Sequence, residues 1–254
     1  MTFICKRVFW TGCIVFLVLT AVAETLPRGD CNAPGPYTDL RHCKFWGNDF
    51  KDRDLRGVNL DGVDFRSIRM KGCNLSGASL RNADLRWTFL NDCNLTRADL
   101  TGANLFHTGF NGALLNETVF VNAYLFGATI NGVKAANADF TKAFMKDINI
   151  SDSTLSDCKF DNAFMIRAVA IGSDFTGSSF FRANLVGSAL EEANLSNTNL
   201  KSATLTGATF DGTLFMEAEM KGAVFKDALF NNVKPEHFRY VKNPPTLVLK
   251  LFNN

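Results

Sequence analysis

From Leu40 to Phe230 a large apolar residue returns at every fifth position in a single phase. Leu, Phe, Met or Ile fills each of these positions except Ala135 and Ala170. A small residue stands two places before nearly every one, as in Ala98-Asp99-Leu100 and Ala103-Asn104-Leu105; Asn48 and Arg53, near the start, depart from this rule. Glycine concentrates two places after, at Gly57, Gly62, Gly72, Gly77, Gly102 and onward. A period of five matches neither the 3.6 of a helix nor the 2 of a flat strand, so the chain reads as a stack of short repeats. The phase runs without linker or change of period, and residues 38–232 are expected to form one continuous array.

The ends read differently. Lys6 and Arg7 precede an apolar run from Val8 to Leu19, followed by Ala21-Val22-Ala23. A charged start, a short apolar stretch and a small-x-small site make the plan of a secretory signal peptide. Residues 1–23 are expected to be that signal, and the protein to be extracytoplasmic: secreted, periplasmic or lumenal. The run is interrupted by Thr11 and Gly12 and falls short of the roughly 20 residues a membrane helix needs, so no membrane insertion is expected after cleavage. Retention of the segment as an anchor is the alternative. Residues 24–37 hold Pro27, Pro34 and Pro36 and read as an irregular N-terminal lead-in or cap. Residues 233–254 read as a C-terminal cap: Pro235-Glu236-His237-Phe238 can open a short helical turn, and Thr246 to Phe252 has the apolar content of a strand or plug.

The run Ala98-Asp99-Leu100-Thr101-Gly102-Ala103-Asn104-Leu105 resembles the motif A(D/N)LXX of the pentapeptide-repeat family, and the resemblance extends over most of the chain. It implies an all-β fold, a right-handed quadrilateral β-helix with one pentapeptide per side and four per coil. Nearly ten coils with short terminal caps, stacked at the strand spacing of about 4.8 Å, would make a rod on the order of 45–50 Å long. In such a rod the large residues converge on the axis, the small ones let the corners close, and glycine eases the tight turns.

Positions 20 apart then lie above one another, which allows a search for chemistry. His42, His107 and His237 lie near the start, middle and end, without a nucleophile in reach to make a catalytic pair. Asp64 stacks on Asp84, but Arg66 and Arg86 flank them, which makes an ion lattice rather than a paired-carboxylate acid/base site. Asp147, Asp152 and Asp157 occupy successive corners that point in different directions. No phosphate-binding glycine loop stands out from the five-residue phase, and no Cys-x-x-Cys or Cys/His metal spacing occurs. The chain is expected to be no enzyme and to need no cofactor or metal.

Export makes a disulfide between Cys31 and Cys43 the expected pairing at the N-terminal end. Cys73 and Cys93 fall in the inward small class one coil apart. They are expected to stay reduced, because parallel inward side chains hold the Cβ atoms too far apart for a relaxed bridge. Sequons occur at Asn74, Asn94, Asn116, Asn149 and Asn194, a pattern the repeat itself generates.

Charge bounds the partners. The chain carries 27 basic and 25 acidic residues, and loss of residues 1–23 removes only Lys6 and Arg7, leaving the signs equal. A neutral rod lacks the basic footprint of a nucleic-acid binder. One side, however, carries two outward apolar columns: Tyr124, Phe144 and Phe164 in one, and Phe106, Phe126, Lys146, Ile166 and Val186 in the other. A contiguous apolar patch on a polar rod marks an interaction site. The expected function is therefore that of a non-enzymatic exported scaffold or structural component. It would bind a protein partner, or a second copy of itself, through Phe106, Tyr124, Phe126, Phe144, Phe164, Ile166 and Val186. The resemblance offers an alternative, a DNA-mimicking topoisomerase-binding protein. That role implies a cytoplasmic, markedly acidic chain, which the signal peptide and the neutral charge disfavour.

Overall fold

A computed structural model describes residues 25–45, 47 and 49–250. The expected signal peptide, residues 1–23, lies outside the described residues, as do Glu24, Trp46, Asn48 and the last four residues.

Each pentapeptide makes one short side and one tight turn. At Leu100 the turn closes when the Ala103 N–H donates to the Leu100 carbonyl at 3.0 Å, with Gly102 between them at φ +67°. A positive φ at the third position of such a turn is what glycine supplies without steric cost. Asn82 and Asp92 take the same conformation at φ 54° and 58°, as Asn and Asp readily do. Trp87 and Arg97 take it too, at 57° and 60°, although bulky side chains disfavour it. The ladder on either side of each corner overrides local preference.

Parallel bridges join residues twenty apart along the array: Asp39 to Asn59, Asn59 to Ser79, and so on to Thr209 and Leu229. Four pentapeptides complete a coil, and the fifth lies over the first. The result is a four-sided β-helix. Its axis is filled by the large residues, and Phe120, Phe140, Phe160 and Phe180 form an inner stack with centroids 4.7, 5.0 and 4.8 Å apart.

The small inward class has its own hydrogen-bond rule. Thr88, Thr108 and Thr118 donate to the carbonyls of Phe65, Leu85 and Leu95, each 23 residues earlier, at 2.7–2.8 Å. Ser153 and Ser178 do the same to Ile130 and Leu155. A hydroxyl can therefore replace Ala in the interior without leaving an orphaned polar group.

Both ends pair with the array. The Asp39 N–H donates to the Pro27 carbonyl and the Gly29 N–H to the Asp39 carbonyl, so the lead-in runs parallel to the first coil. At the other end the Phe215 and Glu217 N–H groups donate to His237 and Arg239, and Lys242 bridges Glu219. Pro235–Phe238 form a 3₁₀ turn whose Phe238 ring stacks on Phe215 at 4.9 Å and covers the end of the core. The strand considered for residues 246–252 is corrected: Thr246–Lys250 is a short α-helix, α1, with Val248 buried. Pro244-Pro245 explains the difference, because a proline's fixed φ is preorganised for a helix start, and the Leu249 N–H returns to the Pro245 carbonyl. No helix among the described residues is long and apolar enough to cross a membrane.

Candidate interaction surface

Because the Cβ of an outward residue on one coil lies directly over that of the residue twenty later, like side chains stack into columns. Tyr124 bridges Phe144 and Phe144 bridges Phe164, and their rings follow with centroids 4.9 and 5.0 Å apart and planes within 11°. In the next column Phe106 stacks on Phe126 at 5.5 Å. The columns also interleave: Phe106 to Tyr124, Tyr124 to Phe126 and Phe126 to Phe144 are each 6.4 Å apart and nearly parallel. Five rings thus form one slab. Ile166 and Val186 continue the second column, half-buried.

The orientation of the slab limits what it can recognise. Ring faces are consumed by neighbouring rings along the rod, and ring edges point outward. A flat sugar or base would need an open face to stack on, and Phe144, stacked on Tyr124 and Phe164, does not offer one. Edges carry the positive end of the ring quadrupole and suit packing against apolar side chains and carbonyl oxygens. Self-stacking also reduces exposure: Tyr124 is 40% exposed, while Phe106, Phe126, Phe144 and Phe164 are half-buried.

Two residues join the slab that the column reading did not include. Trp87, 46% exposed, meets Phe106 edge-on at 5.4 Å. His107 meets Phe106 at 4.3 Å and Phe126 at 5.8 Å. Both occupy corners, where neither was expected to join the apolar columns. The signal was available, since corner residues flank the side's second column. Gly127 follows from His107: a Cβ there would come within 2.5 Å of the imidazole. Lys146, between Phe126 and Ile166 in the second column, holds its ammonium 5.9 Å from the Phe126 ring centroid, a cation–π contact.

Nearer the N-terminus the same side is ionic. Arg66 forks onto Asp64 and Arg86 onto Asp84, with closest distances of 2.6 Å in both, and Arg66 reaches Asp84 at 3.7 Å. The Arg66 guanidinium holds the Asp64 carboxyl below its ordinary range, against a smaller opposing effect of burial. Every carboxylate in this lattice faces a guanidinium. Arg86 also lies over the Trp87 ring at 5.9 Å and joins the two zones.

At the N-terminal end Cys31 and Cys43 form a disulfide with Cα atoms 5.4 Å apart. His42 Nε2 is 3.4 Å from the Cys31 sulfur, so the fold gathers a Cys–His–Cys group that no sequence spacing announced. With the disulfide formed neither sulfur is a thiolate, and the group is not a metal centre in this state.

The family models agree with the geometry. A pentapeptide repeat region matches residues 39–120, and pentapeptide repeats match 108–141, 148–187, 166–197 and 193–232. The chain belongs to the pentapeptide-repeat family. Among solved structures it is similar to HetL, a pentapeptide repeat protein involved in heterocyst differentiation regulation from the cyanobacterium Nostoc, with 22% identity, a TM-score of 0.45, and coverage of 69% of this chain and 86% of that one. It is also similar to QnrB1, a plasmid-mediated fluoroquinolone resistance protein, with 19% identity, a TM-score of 0.42, and coverage of 70% and 90%. A pentapeptide repeat protein of the Arabidopsis thaliana thylakoid lumen is 29% identical over 39% of this chain and 65% of that one, with a TM-score of 0.34. None of the curated proteins matches the sequence.

Proposed function

We propose that this chain is an exported, non-enzymatic repeat rod that binds another protein, or a second copy of itself, through its aromatic side. The observation that carries the reading is the slab of five near-parallel rings with outward edges, bordered by Trp87 and His107. The fold does not require it, since the same positions are Asp and Arg on the earlier coils. Clustered aromatic anchors are the side chains that dominate binding energy at protein interfaces. The sequons, which the repeat itself generates, leave this side clear. Asn74, Asn94, Asn116 and Asn194 fall ten residues around the twenty-residue coil from this side, on the opposite face. Glycans there would leave the aromatic side bare.

The DNA-mimicking alternative requires a run of unpaired acidic groups. Here Asp39, Asp54, Asp64 and Asp84 are each forked by the arginine two residues later, which cancels the field such a mimic would need. The test is capture by the immobilised protein from the extracytoplasmic fraction of its host, wild type against Phe144→Asp, Phe164→Asp. The reading expects a saturable partner retained by the wild type and lost by the variant, with equal melting curves. Equal retention by both proteins would remove the aromatic side from the function.

A further inference from the structure

We infer that Cys73 and Cys93 are a second disulfide site, one that closes a covalent rung between successive coils inside the core. In the structure their sulfurs are unbonded and 2.9 Å apart. That is well inside the roughly 3.5–4 Å at which non-bonded heavy atoms rest, and it approaches the 2.05 Å of a disulfide. The Cα spacing of stacked strands, about 4.8 Å, lies within the range disulfides span. The expectation from sequence is that both stay reduced, and both are free thiols here; what the inward register does not show is how closely their sulfurs approach.

The contrast with neighbouring small residues shows why. Cys93 follows the hydroxyl rule of its class and donates to the carbonyl 23 residues earlier, Met70, at 2.6 Å. Cys158 follows it as well, donating to Ala135 at 2.8 Å. Cys73 instead turns its sulfur up to Cys93.

The chemistry balances by exchange with a small-molecule disulfide such as oxidised glutathione. One cysteine thiolate attacks the reagent to form a mixed disulfide and expel a reduced thiol. The other cysteine then attacks the protein sulfur, expelling the second thiol, so that two electrons and two protons pass to the reagent. Cys73 and Cys93 are 1% and 0% exposed, and the neighbouring sulfur together with burial raises the Cys73 thiol far above its usual range. The thiolate that exchange requires is therefore scarce once the coil has closed, and the rung forms while the chain folds. Cys158 is a built-in control: Ala138 and Ser178 occupy the positions one coil away, and burial pushes its thiol up to about 12.

To test this, the full chain is refolded in a glutathione redox buffer, then unfolded in denaturant with a maleimide and mapped by mass spectrometry without reduction. The inference expects a peptide pair linked through Cys73 and Cys93, with Cys158 labelled. Labelling of Cys73, Cys93 and Cys158 together, with Cys31–Cys43 intact, would overturn it. A second sample is folded in reductant and oxidised only afterwards. It should form the rung at least tenfold more slowly, and an equal rate would overturn the claim that the rung is made during folding.

Discussion

Two stretches of one side of this rod share a backbone and an interior and differ in what they show to solvent. Across the coils of Asp64, Arg66, Asp84 and Arg86 the outward positions are an ion lattice. Across those of Tyr124, Phe126, Phe144 and Phe164 they are a stack of rings. The bridges beneath are alike: Asp64 pairs with Asp84 as Tyr124 pairs with Phe144. The ladder is indifferent to outward chemistry, so that chemistry is free to follow function. The ionic stretch is self-satisfied, each charge meeting its partner within the chain. The aromatic stretch satisfies its faces internally and leaves its edges outward.

The comparison is sharpened first by asking which rings hold the fold. Phe140→Ala, in the inner stack, should cost about 3–5 kcal/mol in chemical denaturation, as buried Phe truncations do. Phe144→Ala, four residues on and in the outer slab, should cost about 1–3 kcal/mol, since it loses two close ring pairs each worth about 0.5–1.5 kcal/mol. Equal costs would make the outer slab structural and blur the contrast between the two zones.

Acid should separate the zones next. The Arg41 guanidinium brings the Asp39 carboxyl down to about 2, and Arg56 and Arg66 lower Asp54 and Asp64. A carboxylate whose folded pKa lies below its unfolded value of about 3.9 contributes stability above that value, and the contribution fades as pH falls through the folded pKa. Between about pH 4 and pH 2, amide exchange corrected for its intrinsic pH dependence should rise more in the first coils, where Asp39, Asp54 and Asp64 are lowered, than around Phe126 and Phe144, where Arg97 and Arg167 lower Glu117 and Asp147. Equal loosening along the rod would contradict the local origin of the effect. The smallest effect belongs to the exposed forks: Arg66→Ala or Arg86→Ala should cost about 0–1 kcal/mol, and added salt should shrink the difference.

Much of this was legible in the sequence because one rule, a large residue every fifth position, decides which side chains face inward. That rule placed Leu40 to Phe225 in the core and put Phe106, Tyr124, Phe126, Phe144, Phe164, Ile166 and Val186 on one side. It carried no information about rotamers. The stacking that turns ring edges outward, the attachment of Trp87 and His107 from corner positions, and the turn of Cys73 toward Cys93 all depend on how a side chain leaves its Cα. Beyond the array the phase ends, and a short apolar run such as Thr246–Lys250 reads equally as strand or helix until the tertiary contact of Val248 decides.

The central claim, that the aromatic stretch is the contact surface and the ionic stretch is not, is tested most directly by sedimentation velocity on two double variants. Each is run alone across a concentration series and with any captured partner. Arg66→Ala, Arg86→Ala removes the lattice, and Phe144→Asp, Phe164→Asp breaks the slab, while both leave the core residues untouched. The account predicts that the first sediments as the wild type does, in complex, and that the second sediments as a folded monomer with association weakened at least a hundredfold. Retention of the complex by the slab variant, or its loss by the lattice variant alone, would contradict it.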